Sequence, residues 1–295
     1  EIPLRLVGSE MCIRDSLEEY TGEVYAIRAL CYSELLKNYC KAYDPATAQS
    51  ELGVVIRTKY STPEPIRRAS LYDSYKFVLD DLAEAEKRLD KEEDAYSNEY
   101  ITSAAAQALH ARVALYMQDW DTAIEYASIL IDDKKNTFKL ADAKTKYNAD
   151  YTFFDYMWAY DLSYEIIWRI GFTETSYGSP LGTVFLNFTK DLTYYYPDYV
   201  PATAALNLYD AADLRYSGYF AGKEQGLTIG YTNGLDWPML VKYYGNRNFT
   251  SKLIFHVSMP KPFRLAEQYL IRAEAYCQKN DFSKAVSYTH LRAHE

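Results

Sequence analysis

The sequence predicts a mostly α-helical protein in which helix pairs flank an irregular, aromatic-rich middle region. Helical periodicity is concentrated in residues 17–134 and 262–285. The stretch between them, residues 147–260, holds nine of the 12 glycines and sixteen of the 31 tyrosines and shows no sustained period. Glycine-rich sequence without periodicity is typical of loops. We therefore expect one domain over residues 17–285, with a ligand-binding site in its loop-rich part.

The first two helices are expected near Glu19–Asn38 and over Leu71–Leu89. In the second, apolar residues recur at intervals of three and four, so they share one face of a helix. Ser70 stands just before this stripe and Asp73 follows three residues later, as in a capping box. The pattern predicts an amphipathic helix that begins at a defined cap.

A third helix is expected over Ala104–Met117, which is rich in alanine. Small side chains let neighbouring helices approach closely. A second amphipathic stripe, over residues 120–131, follows after only Gln118 and Asp119. Because this connection is so short, the two helices are expected to form an antiparallel pair.

The plan of this pair occurs again near the end of the sequence. ARVALYMQDWDTA (Ala111–Ala123) and RAEAYCQKNDFSKA (Arg272–Ala285) each contain a small-residue helix with a tyrosine near its end, then a polar turn with aspartate before an aromatic residue. In each, an alanine stands three residues after that aromatic. This is the tetratricopeptide pattern, in which alanines lie where helices touch. Other sequence separates the two units, so no continuous array is expected.

Two short elements are expected within the middle region. Glu165–Phe172 (EIIWRIGF) has the apolar character of a buried strand, and Ala202–Leu214 is the best candidate for a short helix. The remainder is expected to form long loops, which in a compact domain are usually functional or mobile.

The bulk composition is that of a soluble globular protein, with 48% hydrophobic and 25% charged residues. The formal net charge is −9, and an acidic surface disfavours binding to nucleic acid or to anionic lipid headgroups. No run reaches the roughly 18 apolar residues that a membrane-spanning helix requires.

Both ends of the sequence resemble translated sequencing-adapter DNA. The resemblance lies in GSEMCIRDS near the start and SYTHLRAHE at the end. We therefore expect residues 1–16 and 286–295 to be non-native segments outside the domain. The natural chain is then expected to extend beyond this sequence at both ends.

The residue patterns point to no metal, no cofactor and no catalytic residues. Cys31, Cys40 and Cys277 are widely spaced and odd in number, which favours free thiols over a disulfide frame or a zinc site. His110 and His256 have no serine, cysteine or acidic partner at a recognisable spacing. We expect a protein that binds and does not catalyse.

A series of segments carries a resemblance to a known family. The helix RLAEQYLIRAEAY, which begins at Arg264, is the most specific of them. The others are, in order, Glu23–Cys40, Leu71–Leu89, residues 108–131, EIIW at 165–168, DLR at 213–215 and KYY at 242–244. Together they resemble the SusD/RagB family of Bacteroidetes outer-membrane lipoproteins over nearly all of residues 19–285.

The resemblance implies a SusD-like α-superhelical fold and a surface-exposed protein of the outer membrane that is not an enzyme. It implies binding of an oligosaccharide or another nutrient, and delivery of that ligand to a SusC-like TonB-dependent transporter. Members of the family carry a lipid-modified cysteine after a signal peptide. None of the four cysteines of this sequence lies in a lipobox, so such an anchor is expected upstream.

The candidate ligand-binding residues are aromatic, because sugars stack their C–H faces on aromatic rings. Tyr177, in SYGSP, corresponds to a position where the family contributes a sugar-stacking aromatic. Tyr195 and Tyr196 belong to a loop cluster that also contains Tyr194 and Tyr199. Trp237, in GLDWP, is a loop tryptophan. For each of them, ordinary packing under a loop is the competing interpretation.

Two other functions remain open at this point. The protein could be an intracellular tetratricopeptide adaptor that binds a protein partner. It could also be a glycoside hydrolase, which needs two carboxylates about 5–10 Å apart across a cleft. Adjacent pairs such as Asp80–Asp81 point apart on a helix, so they do not supply that geometry.

Overall fold

The structure is a computed structural model that describes residues 3–59, 67–89, 99–133, 135, 137–188, 194–210, 213–222, 227–230 and 235–286. Over residues 3–16 it describes the backbone alone. The helices are α1 (Pro3–Tyr39), α2 (Leu71–Arg88), α3 (Ser103–Tyr116), α4 (Trp120–Ile131), α5 (Phe153–Tyr160), α6 (Thr183–Leu186), α7 (Thr203–Leu206), α8 (Leu214–Tyr219), α9 (Arg247–Thr250) and α10 (Leu265–Gln278). The strands are β1 (Ile166–Trp168), β2 (Phe220–Ala221), β3 (Met239–Leu240) and β4 (Phe263–Arg264). The predicted fold class, mostly α with an irregular middle region, is confirmed.

The long helices form one layer in which each packs on the next. Helix α1 contacts α2, α2 contacts α3, α3 contacts α4, and α4 contacts α10. The amphipathic stripe of α2 is buried as predicted. Ser70 caps this helix, accepting a hydrogen bond from the Asp73 backbone N–H at 3.0 Å. The chain leaves the layer after α4 and returns to it at α10.

The two predicted repeat units share their turn geometry. Gln118 and Asn280 both adopt left-handed backbone, with φ of 60° and 62°. The next residue in each unit, Asp119 or Asp281, donates its backbone N–H to a carbonyl five residues earlier. Small residues dominate the core that α3, α4 and α10 share: Ala111, Ala114, Ala123, Ala127 and Ala275 are all buried there. The tetratricopeptide-like pairing is therefore present at the level of the backbone.

The cap of α4 gives a first expected result. Asp119 accepts hydrogen bonds from the Thr122 backbone N–H at 3.2 Å and from its hydroxyl at 2.8 Å. We expect Asp119→Ala to lower the free energy of unfolding by about 1 kcal/mol, because the cap is lost. Urea denaturation measures this, with Glu125→Ala on the exposed face of the same helix as the control. Equal effects of the two substitutions would contradict the capping role.

The ends of the helical layer differ in part from expectation. Helix α1 was expected to begin near Glu19, but it runs without a break from Pro3. At the other end a helical turn covers residues 282–286, and Phe282 is exposed. The sequence predicts a short last helix here, because FSKA at 282–285 runs directly into the adapter-like tail. Such a helix would leave part of the Tyr269 and Cys277 face open. Cys277 is exposed and Tyr269 is half-buried against the main core. Residues 287–295 of the expected tail lie outside the described residues.

The middle region is joined to the helical layer by a short antiparallel pairing. Strand β1 pairs with β4, with Ile166 opposite Arg264 and Trp168 opposite Phe263. The predicted strand 165–172 is thus present but shorter. Strands β2 and β3 form a second antiparallel pair. The pairing of β1 with β4 brings the start of α10 against the loop region.

The helix predicted over Ala202–Leu214 is wrong in extent. Helix α7 ends at Leu206, and a turn follows. A separate helix, α8, begins after Asp213, whose side chain accepts a hydrogen bond from the Arg215 backbone N–H at 2.9 Å. Aspartate and asparagine side chains compete for backbone hydrogen bonds and favour caps and turns over helix interiors. Asn207 and Asp213 mark the end of one helix and the start of the next.

Candidate functional site

A cavity of about 490 Å³ opens where α5, the loop after β1 and the segment before α10 meet. Trp158, Phe172 and Tyr243 supply its aromatic walls. Gly178 and Ser179 line it from the loop that follows β1. We call this cavity the Trp158 pocket. Its volume lies within the range of small-molecule binding sites, roughly 300–1,000 Å³.

Helix α5 fixes the position of Trp158. A capping box starts the helix: the Thr152 hydroxyl accepts from the Asp155 backbone N–H at 3.1 Å, and Asp155 accepts in return. The helix ends at Asp161, which has left-handed backbone with φ 58°. The Trp158 ring is packed edge-on by Tyr219 and Tyr243, with centroids 6.1 and 6.3 Å away. The indole is therefore held by rings on neighbouring segments.

Three cationic side chains surround this indole. Lys242 Nζ lies 4.3 Å from the ring centroid, Lys261 Nζ lies 4.9 Å from it, and the Arg264 guanidinium carbon lies 5.2 Å from it. All three residues line the Trp158 pocket. Distances below about 6 Å allow attraction between a cation and the ring face. The aromatic wall thus also orients positive charge.

Two buried carboxylates hold the cations from behind. Asp161 is wholly buried and forms an ion pair with Lys261. It also accepts from the Met259 backbone N–H at 3.1 Å and from the Asn246 side-chain amide at 2.8 Å. Burial lowers the pKa of Lys261, and the Asp161 carboxylate opposes that change. The arrangement places the Lys261 amine directly against a buried carboxylate.

Arg264 is anchored in the same way. Its Nη1 donates to the buried Glu165 carboxylate at 2.7 Å. Glu165 also accepts from the Ala141 backbone N–H at 2.9 Å. Because Glu165 precedes β1 and Arg264 lies in β4, the strand pairing places the two residues together. The pocket wall is therefore part of the structure that joins the loops to the helices.

Tyr177 adjoins the lining of the Trp158 pocket in the chain. It immediately precedes Gly178 and Ser179, which line the cavity. Its side chain is 46% exposed, and its ring centroid is 6.5 Å from that of Phe249. A half-exposed aromatic ring is suited to stacking on a sugar.

Tyr195 lies in a different part of the loop region and is half-buried. Its backbone bridges to Phe188 and Ile229, and its ring meets that of Phe188 edge-on at 6.1 Å. Burial, reinforced by a hydrogen bond with Tyr244, raises the pKa of its hydroxyl. Tyr244 lines a second cavity of about 330 Å³, to which Trp158 also contributes. Tyr195 is thus one contact away from a cavity that shares the central indole.

The remaining sequence-predicted aromatics have other surroundings. Trp237 donates its Nε1 proton to the Pro201 carbonyl at 2.9 Å and so ties two loops together. Tyr196 is half-buried, as is Tyr194, and Tyr199 is exposed. Neither Tyr196 nor Trp237 is among the residues that line the two cavities beside Trp158. Their part in ligand binding stays a prediction.

Sequence reasoning did not select the cationic residues of the pocket. Lys242 was noted only as part of KYY, and Arg264 only as the start of a family-like helix. The net charge of −9 indicates an acidic surface and carries no sign of local positive charge. A sequence signal that could have found two of them is Lys261-Pro-Phe-Arg264, in which one cation precedes strand β4 and the other ends it.

His256 provides an expected pH dependence near this site. It is buried with left-handed backbone, φ 63°, and its Nδ1 lies 3.3 Å from the Tyr244 carbonyl oxygen. Burial lowers its pKa below the ordinary 6.5, although the Tyr244 carbonyl opposes this. As pH falls below about 6.5, the unfolded chain gains a proton that folded His256 resists, so stability is lost.

The substitution His256→Asn isolates this effect, since asparagine tolerates left-handed backbone. The native protein should lose more unfolding free energy than the variant when the pH falls from above to below 6.5. Urea denaturation across that range measures the difference. Both proteins have the same carboxylates, so the contribution of those groups cancels in the comparison. Parallel stability curves would show that His256 is not the cause.

Other kinds of site are absent from the part of the chain that the structure describes. There, no three His, Cys, Asp or Glu side chains come together in a way that would hold a metal ion. Among the same residues, no helix has the length and apolar character needed to cross a membrane. The described residues lining the Trp158 pocket include no carboxylate.

The fold is the SusD-like fold, as comparison with solved structures shows. A SusD superfamily protein from Bacteroides thetaiotaomicron matches with a TM-score of 0.71 and 23% identity, over 93% of this chain and 58% of its own. A SusD-like carbohydrate binding protein from Bacteroides vulgatus matches with a TM-score of 0.71 and 19% identity, over 94% of this chain and 55% of its own. Surface glycan-binding protein A from Bacteroides fluxus matches with a TM-score of 0.65 and 18% identity, over 95% of this chain and 61% of its own.

These matches confirm the SusD resemblance at the level of fold. The chain spans less than two thirds of the length of each of these structures. No protein-family model matches the sequence, and no curated protein does. The neighbours are a SusD superfamily protein, a SusD-like carbohydrate binding protein and a surface glycan-binding protein.

Proposed function

We propose that this protein is a non-enzymatic, surface-exposed glycan-binding protein that takes an oligosaccharide in the Trp158 pocket. It would act at the outer membrane, held by a lipid anchor upstream of this sequence, and pass its ligand to a SusC-like TonB-dependent transporter. The observation that carries the proposal is the pocket itself. It combines aromatic walls and fixed polar groups, and the half-exposed Tyr177 directly precedes two of its lining residues in the chain.

Several features of the site support sugar binding over catalysis. Aromatic rings offer the flat apolar surface on which the C–H face of a sugar stacks, and charged or polar groups at the rim orient its hydroxyls. Hydrolysis of a glycosidic bond would need two carboxylates facing each other across the cleft. Asp161 and Glu165 lie behind the pocket, and each already holds a cation.

Calorimetric titration with a panel of oligosaccharides tests the proposal. We expect Tyr177→Ala to weaken the affinity for the tightest ligand roughly tenfold, which corresponds to about 1.4 kcal/mol. Tyr39→Ala is the matched control, because Tyr39 is 74% exposed at the end of α1. Absence of binding to every oligosaccharide in the panel would contradict the proposal.

The intracellular adaptor remains the alternative, and one feature favours it. A groove of about 570 Å³ lies in the helical layer between the end of α1 and α10, lined by Lys41, Gln118 and Glu274 among others. A peptide partner would bind there, away from the Trp158 pocket. A pull-down with the Tyr177→Ala variant separates the two functions, because an adaptor would keep its partner.

A further inference from the structure

The second cavity, of about 330 Å³, shares the Trp158 side chain with the Trp158 pocket. Tyr151 and Tyr244 supply its other aromatic lining. Among the described residues that line it, Asp155 and Arg247 are the charged ones. We call this cavity the Arg247 pocket. Its volume lies within the range of small-molecule sites, roughly 300–1,000 Å³, so it can hold a ligand of its own.

Arg247 offers hydrogen-bond donors that no described residue uses. Its Nε is buried and has no acceptor within the part of the chain that the structure describes. Its guanidinium carbon lies 4.2 Å from the centroid of the Tyr244 ring, which holds the group against an aromatic side chain. Tyr244 is itself hydrogen-bonded to the half-buried Tyr195. A guanidinium carries five N–H groups and buried polar atoms are normally paired, so this side chain indicates a missing acceptor.

Asp155 offers an acceptor in the same cavity. Its Oδ2 accepts from the Thr152 hydroxyl at 2.7 Å and completes the capping box of α5. Its Oδ1 has no donor among the described residues, and the carboxylate forms no ion pair with Arg247. A Cβ at Gly218 would lie 3.4 Å from this Oδ1, so the glycine leaves space beside it. One donor and one acceptor therefore line a single cavity without satisfying each other.

This pair of groups suits an uncharged ligand that is rich in hydroxyls. A hydroxyl both accepts and donates, so neighbouring hydroxyls of a sugar can accept from Arg247 and donate to Asp155. The two side chains carry opposite charges. An anionic ligand would meet the carboxylate and a cationic ligand would meet the guanidinium, and like charges repel at these short distances.

We propose that the Arg247 pocket is a second subsite, which binds an uncharged sugar unit through Arg247 as donor and Asp155 as acceptor. Units of one oligosaccharide then occupy both cavities, with Trp158 between them. The Nε1 of this shared indole is also buried without an acceptor among the described residues, so it can donate to the bound chain. The proposal rests on the proposed glycan binding and adds a second contact region and an uncharged sugar.

Removal of the donor is the first test. Calorimetry with neutral gluco-, manno- and xylo-oligosaccharides, from disaccharide to hexasaccharide, identifies the tightest ligand. We expect Arg247→Met to weaken that ligand roughly tenfold, as loss of a hydrogen bond from a charged group does. The melting temperature should change little, because the buried Nε has no acceptor to lose. Lys252→Met, which deletes an exposed lysine paired with Glu174, should leave the affinity unchanged.

Removal of the acceptor is the second test. Asp155→Asn leaves one oxygen that can still accept from the Thr152 hydroxyl, so the cap of α5 is kept. The other oxygen, which has no donor among the described residues, is replaced by an amide group that only donates. We expect this variant to weaken the same ligand roughly tenfold with little change in melting temperature.

The outcomes separate this proposal from the one on which it rests. Unchanged affinity in both Arg247→Met and Asp155→Asn, together with the loss expected for Tyr177→Ala, overturns the second subsite and leaves glycan binding intact. A zwitterionic dipeptide that binds more tightly than every oligosaccharide, and that is lost in Arg247→Met, also overturns it. Failure of every oligosaccharide to bind contradicts glycan binding itself, and the subsite with it.

Discussion

Replacing Asp161 with alanine is expected to lower the free energy of unfolding by about 3–5 kcal/mol. The carboxylate is wholly buried and holds Lys261, whose own side chain is only 4% exposed. Without Asp161, the lysine is left as an uncompensated buried charge, or it must lose its proton. The Met259 backbone N–H and the Asn246 amide lose their acceptor as well.

Urea denaturation at neutral pH measures the loss, and two further variants interpret it. Asp80→Ala removes a carboxylate from an exposed ion pair with Lys76 and should change the stability little. The double variant with Asp161→Ala and Lys261→Met should recover part of the stability, because no buried charge remains. A double variant as unstable as Asp161→Ala alone would show that the ion pair is not the cause.

Replacing Trp158 with alanine is expected to have the largest effect on ligand binding. The indole lines both cavities and is the surface around which three cations are arranged. Central tryptophans commonly account for 2 kcal/mol or more of binding free energy, so affinity should fall about thirtyfold or further. Calorimetry with the tightest oligosaccharide measures the change.

A second tryptophan separates binding from stability. Trp120 packs against the alanine-rich core of α3, α4 and α10 and is not among the residues that line the Trp158 pocket. Trp120→Ala should destabilise the protein but leave the glycan affinity unchanged at temperatures where it stays folded. Equal losses of affinity in both variants would assign the effect to the fold as a whole.

The helical layer could be predicted from the sequence because its signals are local. The stripe of α2, its Ser70 cap and the short turn at Gln118 each depend on residues close together in the chain. The same local signals predicted one helix over 202–214. They missed that Asp213 caps a separate helix, α8. The start of α1 was missed because a non-native origin was expected for the residues that form it.

The candidate site could be predicted only in part because it is built from distant segments. Tyr177 was selected through a family resemblance, and it directly precedes Gly178 and Ser179, which line the Trp158 pocket. Lys242 and Arg264 meet Trp158 across about 80–100 residues of sequence, and no local pattern reports such a meeting. Trp237 was a reasonable choice as a loop tryptophan, but its indole N–H already has an acceptor in Pro201.

The most direct measurement is a crystal structure of the protein with the oligosaccharide that binds most tightly. We predict a sugar ring in the Trp158 pocket, stacked on the aromatic wall and in contact with Tyr177. A ligand bound instead in the groove between α1 and α10 would contradict this account of the site.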